Sequence, residues 1–95
     1  MLKSSQRAKL RAMANGLDPV VILGKEGLGD NFVQAVDEAL AARELIKLKL
    51  LETAPVTVRE AADLAAERTN SDVVQVIGTR FVLYRRRKKE PKIIV

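Results

Sequence analysis

Pro19-Val-Val-Ile-Leu-Gly-Lys-Glu-Gly-Leu-Gly-Asp30 decides how the rest of the chain is read. Its first five residues form an apolar run of strand length, glycines at 24, 27 and 29 interrupt it, and Asp30 opens a segment with helical spacing. The passage therefore reads strand, glycine loop, helix. Val20–Leu23 is apolar almost throughout, the pattern of a strand covered on both faces. Glycine admits φ > 0 and lets an anion approach the backbone without a Cβ in the way, while the free N–H groups of a helix's first turn carry partial positive charge. Such a loop suits phosphate, and Lys25 adds an ammonium to it.

Upstream, Ser4 or Ser5 is placed to cap a helix in which Leu10, Met13, Ala14 and Leu17 recur at i, i+3, i+4 and i+7, and which Asn15-Gly16 ends. Arg7 and Arg11 lie four residues apart on its flank. Downstream, a second helix runs from Asp30 to Arg43 with Phe32, Val33, Val36, Ala39 and Leu40 directed inward. In Leu45–Leu51 the alternation sets Ile46, Leu48 and Leu50 on one face and Lys47 and Lys49 on the other, so one face needs a core. Thr57-Val-Arg-Glu60 is a capping box, with Val56 and Ala61 as its staple, and the third helix continues to about Thr69. Val73–Ile77 and Arg80–Arg85 are strands joined by Gly78-Thr79, which suits a type II′ hairpin. The order α-β-α-β-α-β-β predicts an α/β two-layer sandwich on a mixed four-stranded sheet, with right-handed crossovers between parallel strands and one antiparallel strand from the hairpin.

Composition narrows the function. With 95 residues the chain is one domain, and it contains neither cysteine nor histidine. Thiol chemistry, Cys/His zinc sites and imidazole acid–base work are thereby excluded. No apolar stretch reaches the ~18–20 residues a membrane span needs, and the N-terminus lacks an apolar signal core, so a cytoplasmic protein is expected. Lys plus Arg number 17 against 12 acids, a net charge of +5, which favours polyanionic partners. Only Phe32, Phe81 and Tyr84 are aromatic, too few for a sheet that stacks successive bases.

Five blocks in this order, Ser5-Gln-Arg-Ala8, Leu17-Asp-Pro-Val20, Gly24-Lys-Glu-Gly27, Ala42-Arg-Glu-Leu-Ile-Lys47 and Val74-Gln-Val-Ile-Gly78 with Val82-Leu-Tyr-Arg85, resemble the YhbY family. These are stand-alone bacterial forms of the CRM domain, named for chloroplast RNA splicing and ribosome maturation. The likeness runs from about Leu2 to Arg87, which suggests a domain over residues 1–87 and a basic tail over 88–95. The resemblance implies a fold similar to the C-terminal domain of bacterial translation initiation factor three. It also implies RNA binding without catalysis, no cofactor, and association with rRNA of large-subunit precursors to assist ribosome assembly. The family's GxxG loop falls on Gly24, Lys25, Glu26 and Gly27, and the analogy drawn for it is the KH loop that clamps an RNA backbone.

The RNA-binding candidates are accordingly Gly24, Lys25 and Gly27, through backbone N–H groups and one ammonium, with Arg7, Arg11, Lys47, Lys49 and the run Arg85, Arg86, Arg87, Lys88 and Lys89. Glu26 places a negative charge between the two glycines. The C-terminal run is expected to join Lys47 and Lys49 in one basic surface. No catalytic residue, metal site, small-molecule substrate or membrane partner is expected. A nucleotide-dependent enzyme fits poorly, because the loop reads G-x-x-G-x-G instead of G-x-G-x-x-G and no Gly-Lys-Ser/Thr follows. A protein-interaction module whose basic tail docks an acidic partner is the alternative.

Overall fold

The structure, a computed structural model, describes residues 2–91 and Ile93; Met1, Lys92, Ile94 and Val95, and with them part of the expected tail, lie outside the described residues. The elements are α1 (Ser4–Ala14), β1 (Pro19–Leu23), α2 (Asp30–Arg43), β2 (Leu45–Leu50), α3 (Val58–Thr69), β3 (Asp72–Ile77) and β4 (Arg80–Tyr84). The strands lie in the order β1-β2-β4-β3, with β1 parallel to β2 and β4 antiparallel to both its neighbours. The mixed four-stranded α/β architecture is the one expected. Gly78 has φ 58° and Thr79 does not share it, the combination a type II′ turn requires. Among the described residues no helix is long and apolar enough to cross a membrane.

Because β4 is central, its residues Phe81, Val82, Leu83 and Tyr84 are all buried, alternately on opposite faces. On one face α2 and α3 bring Val36, Leu40, Ala61, Ala62 and Ala65 against Leu23, Ile46, Leu48, Leu50, Phe81 and Leu83. On the other, Leu10 and Ala14 of α1 pack on Leu45, Val74, Val82 and Tyr84, with Leu2 and Ile93 at the rim. The sandwich therefore carries a partial third layer. Val82 and Tyr84 point away from α2 and α3, and α1, with Leu2 and Ile93 beside it, removes them from water.

One expectation fails here. Strand β1 is not covered on both faces: Val21 and Leu23 are buried, whereas Val20 is 41% and Ile22 58% exposed. An apolar run records which residues could be buried, not whether a helix arrives to bury them, and α1 stops short of this edge. The first helix also starts differently from the reading above. Its N-cap is Lys3, whose N–H donates to Gln6 Oε1 at 2.9 Å, so Ser4 and Ser5 belong to the first turn.

The third helix begins as read. Glu60 N–H donates to Thr57 Oγ1 and Thr57 N–H to Glu60 Oε1, both at 3.1 Å. Hydrogen bonding of its carboxylate to Thr57, the backbone N–H first and the side chain second, holds the Glu60 carboxyl below its ordinary value. The second helix ends in a less usual way. Glu44 has φ 64°, is fully buried, and its carboxylate accepts the N–H groups of Arg87 at 3.5 Å and Ile93 at 3.3 Å. Its carbonyl accepts Arg85 N–H at 2.9 Å, so the chain beyond β4 is fastened back to the end of α2.

Candidate nucleic-acid interface

Register assigns each basic group to an end of the sheet. Leu23 pairs with Leu50, Lys49 stands opposite Arg80, and Leu50 N–H donates to Thr79 O at 2.7 Å. The glycine loop, the end of β2 and the β3–β4 turn thus share one end. Leu45 and Asp72 both pair with Tyr84, so Arg85 and the residues after it leave from the opposite end.

In the loop, Gly27 N–H donates to Gly24 O at 3.1 Å and closes a four-residue turn with Lys25 and Glu26 exposed at its tip. Neither tip residue has positive φ, which makes this a type I turn. Gly27 itself has φ 72° and is buried; a Cβ there would lie 3.2 Å from Pro55 Cγ. Gly24 is less constrained, since an added Cβ would meet Leu51 Cδ1 at an ordinary 3.5 Å. The Gly27 N–H that was expected to meet a phosphate is taken up by the Gly24 carbonyl, and its positive φ and closeness to Pro55 give Gly27 a part in shaping the loop. Arg68 Nη1 donates to Leu28 O at 2.8 Å and ties the far side of the loop to α3. What the loop presents is the Lys25 ammonium, beside the Glu26 carboxylate.

The uncovered half of the sheet, on the α1 side, collects the other cations. Lys47 and Lys49 project there from β2 on the same face as Leu45, and Arg80, opposite Lys49, projects there from β4. The flank of α1 borders this surface. Arg7 lies along Val73, Val74, Gln75 and Val76 of β3, and Asn15, eight residues on, lies beside Lys47, Gln75 and Val82. Arg11, four residues from each, falls on the same line. Arg7 is half-buried, and its Nε has no hydrogen-bond partner among the described residues. Arg7, Arg11, Lys47 and Lys49 are therefore brought together, with Lys25 at the loop end. Arg80 joins them although the sequence reading missed it. Its signal was the alternation Arg80, Val82, Tyr84, which gains meaning only once β4 is paired with β2.

The C-terminal run does not join this surface. β4 runs antiparallel to β2, so its end leaves beside Leu45 and away from Lys49. Arg85 pairs with the Asp37 carboxylate, and donates to Thr69 O at 2.9 Å and Asp37 O at 3.0 Å. Thr69 is the last residue of α3, where a cation meets the negative end of the helix. Arg85 is thereby occupied inside the domain. Arg86, Arg87, Lys88 and Lys89 border a concavity shared with Leu40, Ala41 and Asn70, forming a second cationic region. The expected joint surface is two surfaces.

Among the described residues no group of three or more acidic side chains is arranged to hold a metal ion. The side chains of the main surface offer positive charge, hydrogen-bond donors and apolar contact, which equips it to bind a polyanion.

Comparison with known proteins agrees on one family. The description that matches is the CRS1 / YhbY (CRM) domain, over residues 2–85. "Probable RNA-binding protein YqeI" of Bacillus subtilis is 37% identical over 93 residues, covering 98% of this chain and 97% of the relative. "RNA-binding protein" of Haemophilus influenzae is 34% identical over 84 residues, 88% and 85% of the two chains. The solution structure of SAV1595 from Staphylococcus aureus matches with a TM-score of 0.84 and 37% identity, covering 100% of this chain and 99% of that one. By its sequence over residues 2–85 and by its fold, the chain belongs to the CRS1 / YhbY (CRM) domain family.

Proposed function

We propose that this chain is a non-catalytic, cytoplasmic RNA-binding protein that associates with rRNA of large-subunit precursors and assists their assembly. The observation that carries the RNA reading is the convergence of Arg7, Arg11, Lys47, Lys49 and Arg80 on the uncovered half of the sheet, with Lys25 at its loop end. Cations spread over such a surface match a chain of phosphates better than a single small anion, and contacts of this kind give affinity and orientation with little sequence information. The second cationic region, Arg86–Lys89, adds attraction from the other end of the sheet. The names of the relatives point the same way, and the ribosomal role rests on the family resemblance. Without histidine or cysteine, the chain lacks the commonest general base and the thiol nucleophile.

Titration of an rRNA fragment at several salt concentrations tests the RNA reading. Log affinity falls with log salt by about 0.7–0.9 per phosphate neutralised, and replacing Lys47, Lys49 and Arg80 with alanine lowers that slope. A titration insensitive to salt removes the basic-surface reading. Sucrose gradients test the assembly role: the protein travels with large-subunit precursors, and an even spread over mature ribosomes and polysomes counts against it.

A further inference from the structure

One row of side chains crosses the whole sheet on its uncovered face. Ile22 of β1 pairs with Lys49 of β2, Lys49 with Arg80 of β4, and Arg80 with Ile77 of β3. The row runs next to the glycine loop at one edge and the β3–β4 turn at the other, and spans three inter-strand spacings, about 14 Å. Its two ends are the most exposed of the large apolar side chains among the described residues, Ile22 at 58% and Ile77 at 60%. Its centre places two cations directly opposite each other, an arrangement that repels in the unliganded sheet.

A ligand that relieves both features is anionic in the middle and apolar on either side. An RNA duplex meets only half of that requirement. Its phosphates can reach Lys49 and Arg80, but its base faces are stacked inside and its wide minor groove displays hydroxyls and polar edges. A single strand meets both, because its unstacked bases expose apolar faces beside a phosphate backbone. With Phe81 and Tyr84 buried, the row has no aromatic platform for a run of stacked bases, and two aliphatic ends accommodate about two.

We propose that Ile22, Lys49, Arg80 and Ile77 form a seat for a single-stranded RNA segment, such as a loop, bulge or end, with phosphate over the two cations and a base or sugar against each isoleucine. This rests on the RNA-binding reading above and specifies which form of RNA the surface takes. Both isoleucines are exposed, so truncating them tests the seat with little disturbance of the core.

Fluorescence anisotropy with an unstructured 12-nucleotide oligouridylate and a 12-base-pair RNA duplex, at one salt concentration, provides the test. The parent protein prefers the single strand by roughly tenfold, and the Ile22→Ala/Ile77→Ala double variant, shown folded by circular dichroism, loses most of that preference. Lys49→Gln/Arg80→Gln weakens binding to both RNAs. Equal binding of both RNAs by the parent, or a preference unchanged in the isoleucine variant, overturns the seat and leaves the RNA-binding reading standing. Binding of neither RNA removes both. Competition by polyglutamate as effective as that by the oligouridylate also overturns the seat, in favour of an acidic protein partner.

Discussion

Arg85, the first residue of the basic run, is held by Asp37 on α2, and the same guanidinium donates to the carbonyl of Thr69 where α3 ends. Three elements meet at one side chain. Arg85→Ala is therefore expected to lower stability by about 1–2 kcal/mol, a figure discounted because Asp37 is well exposed. Arg86→Ala, an exposed position, is expected to stay within about 0.5 kcal/mol. Urea denaturation of the two variants separates them. Equal midpoints would show that Arg85 contributes no more to the fold than its neighbour.

Glu44 gives a larger effect. Alanine there leaves the Arg87 and Ile93 N–H groups without their carboxylate and keeps a side chain at φ 64°. The expected loss is about 2–4 kcal/mol. Removing residues 88–95 deletes Ile93 from the cluster around Leu10 and Tyr84, and is expected to lower the melting temperature as well. A truncated protein that melts with the parent would mean that the segment after Arg87 is an appendage to the fold.

These two sites mark where the sequence stops being legible. The Thr57–Glu60 box and the Gly78-Thr79 turn could be read directly, because each is a local bargain between residues a few positions apart. Glu44 reads as one more charged residue at a helix end. The groups that its carbonyl and carboxylate bind belong to Arg85, Arg87 and Ile93, which are more than forty positions away. Gly24 and Gly27 look alike in the sequence, yet Pro55, brought in by the loop before α3, makes only Gly27 tight. The cations were individually visible. Their division into two surfaces was not, because it follows from strand order and register: the same antiparallel pairing that sets Arg80 beside Lys49 sends Arg85 to the opposite end.

Tyr84 supplies a pH test. Burial first, and then the nearby Glu44 carboxylate, push its phenol above the ordinary value of 10.0. Its hydroxyl has no hydrogen-bond partner among the described residues. The fold favours the neutral phenol, so this contribution to stability is complete below pH 10 and is lost as pH rises through the raised value. The chain has one tyrosine and no tryptophan, which makes the phenolate absorbance a clean signal. Titration of the native protein is expected to lag that of the urea-unfolded protein. Coincident curves would contradict the buried environment of Tyr84.

The glycine loop needs a test that separates its shape from its charge. Gly27→Asp puts a side chain at φ 72° and a Cβ 3.2 Å from Pro55 Cγ, so it is expected to cost about 1–3 kcal/mol of stability whatever the loop binds. A loss of RNA binding in that variant would be ambiguous. Lys25 and Glu26 are exposed at the tip of the turn and can be changed with little effect on folding. If the Lys25 ammonium meets a phosphate, Lys25→Ala lowers the slope of log affinity against log salt by about 0.7–0.9, and Glu26→Lys tightens binding by exchanging repulsion for attraction. Melting curves that superpose on the parent's confirm that the comparison is fair. Should both variants bind RNA as the parent does, while alanine at Arg86, Arg87, Lys88 and Lys89 abolishes binding, the glycine loop is a turn and the interface lies at the other end of the sheet.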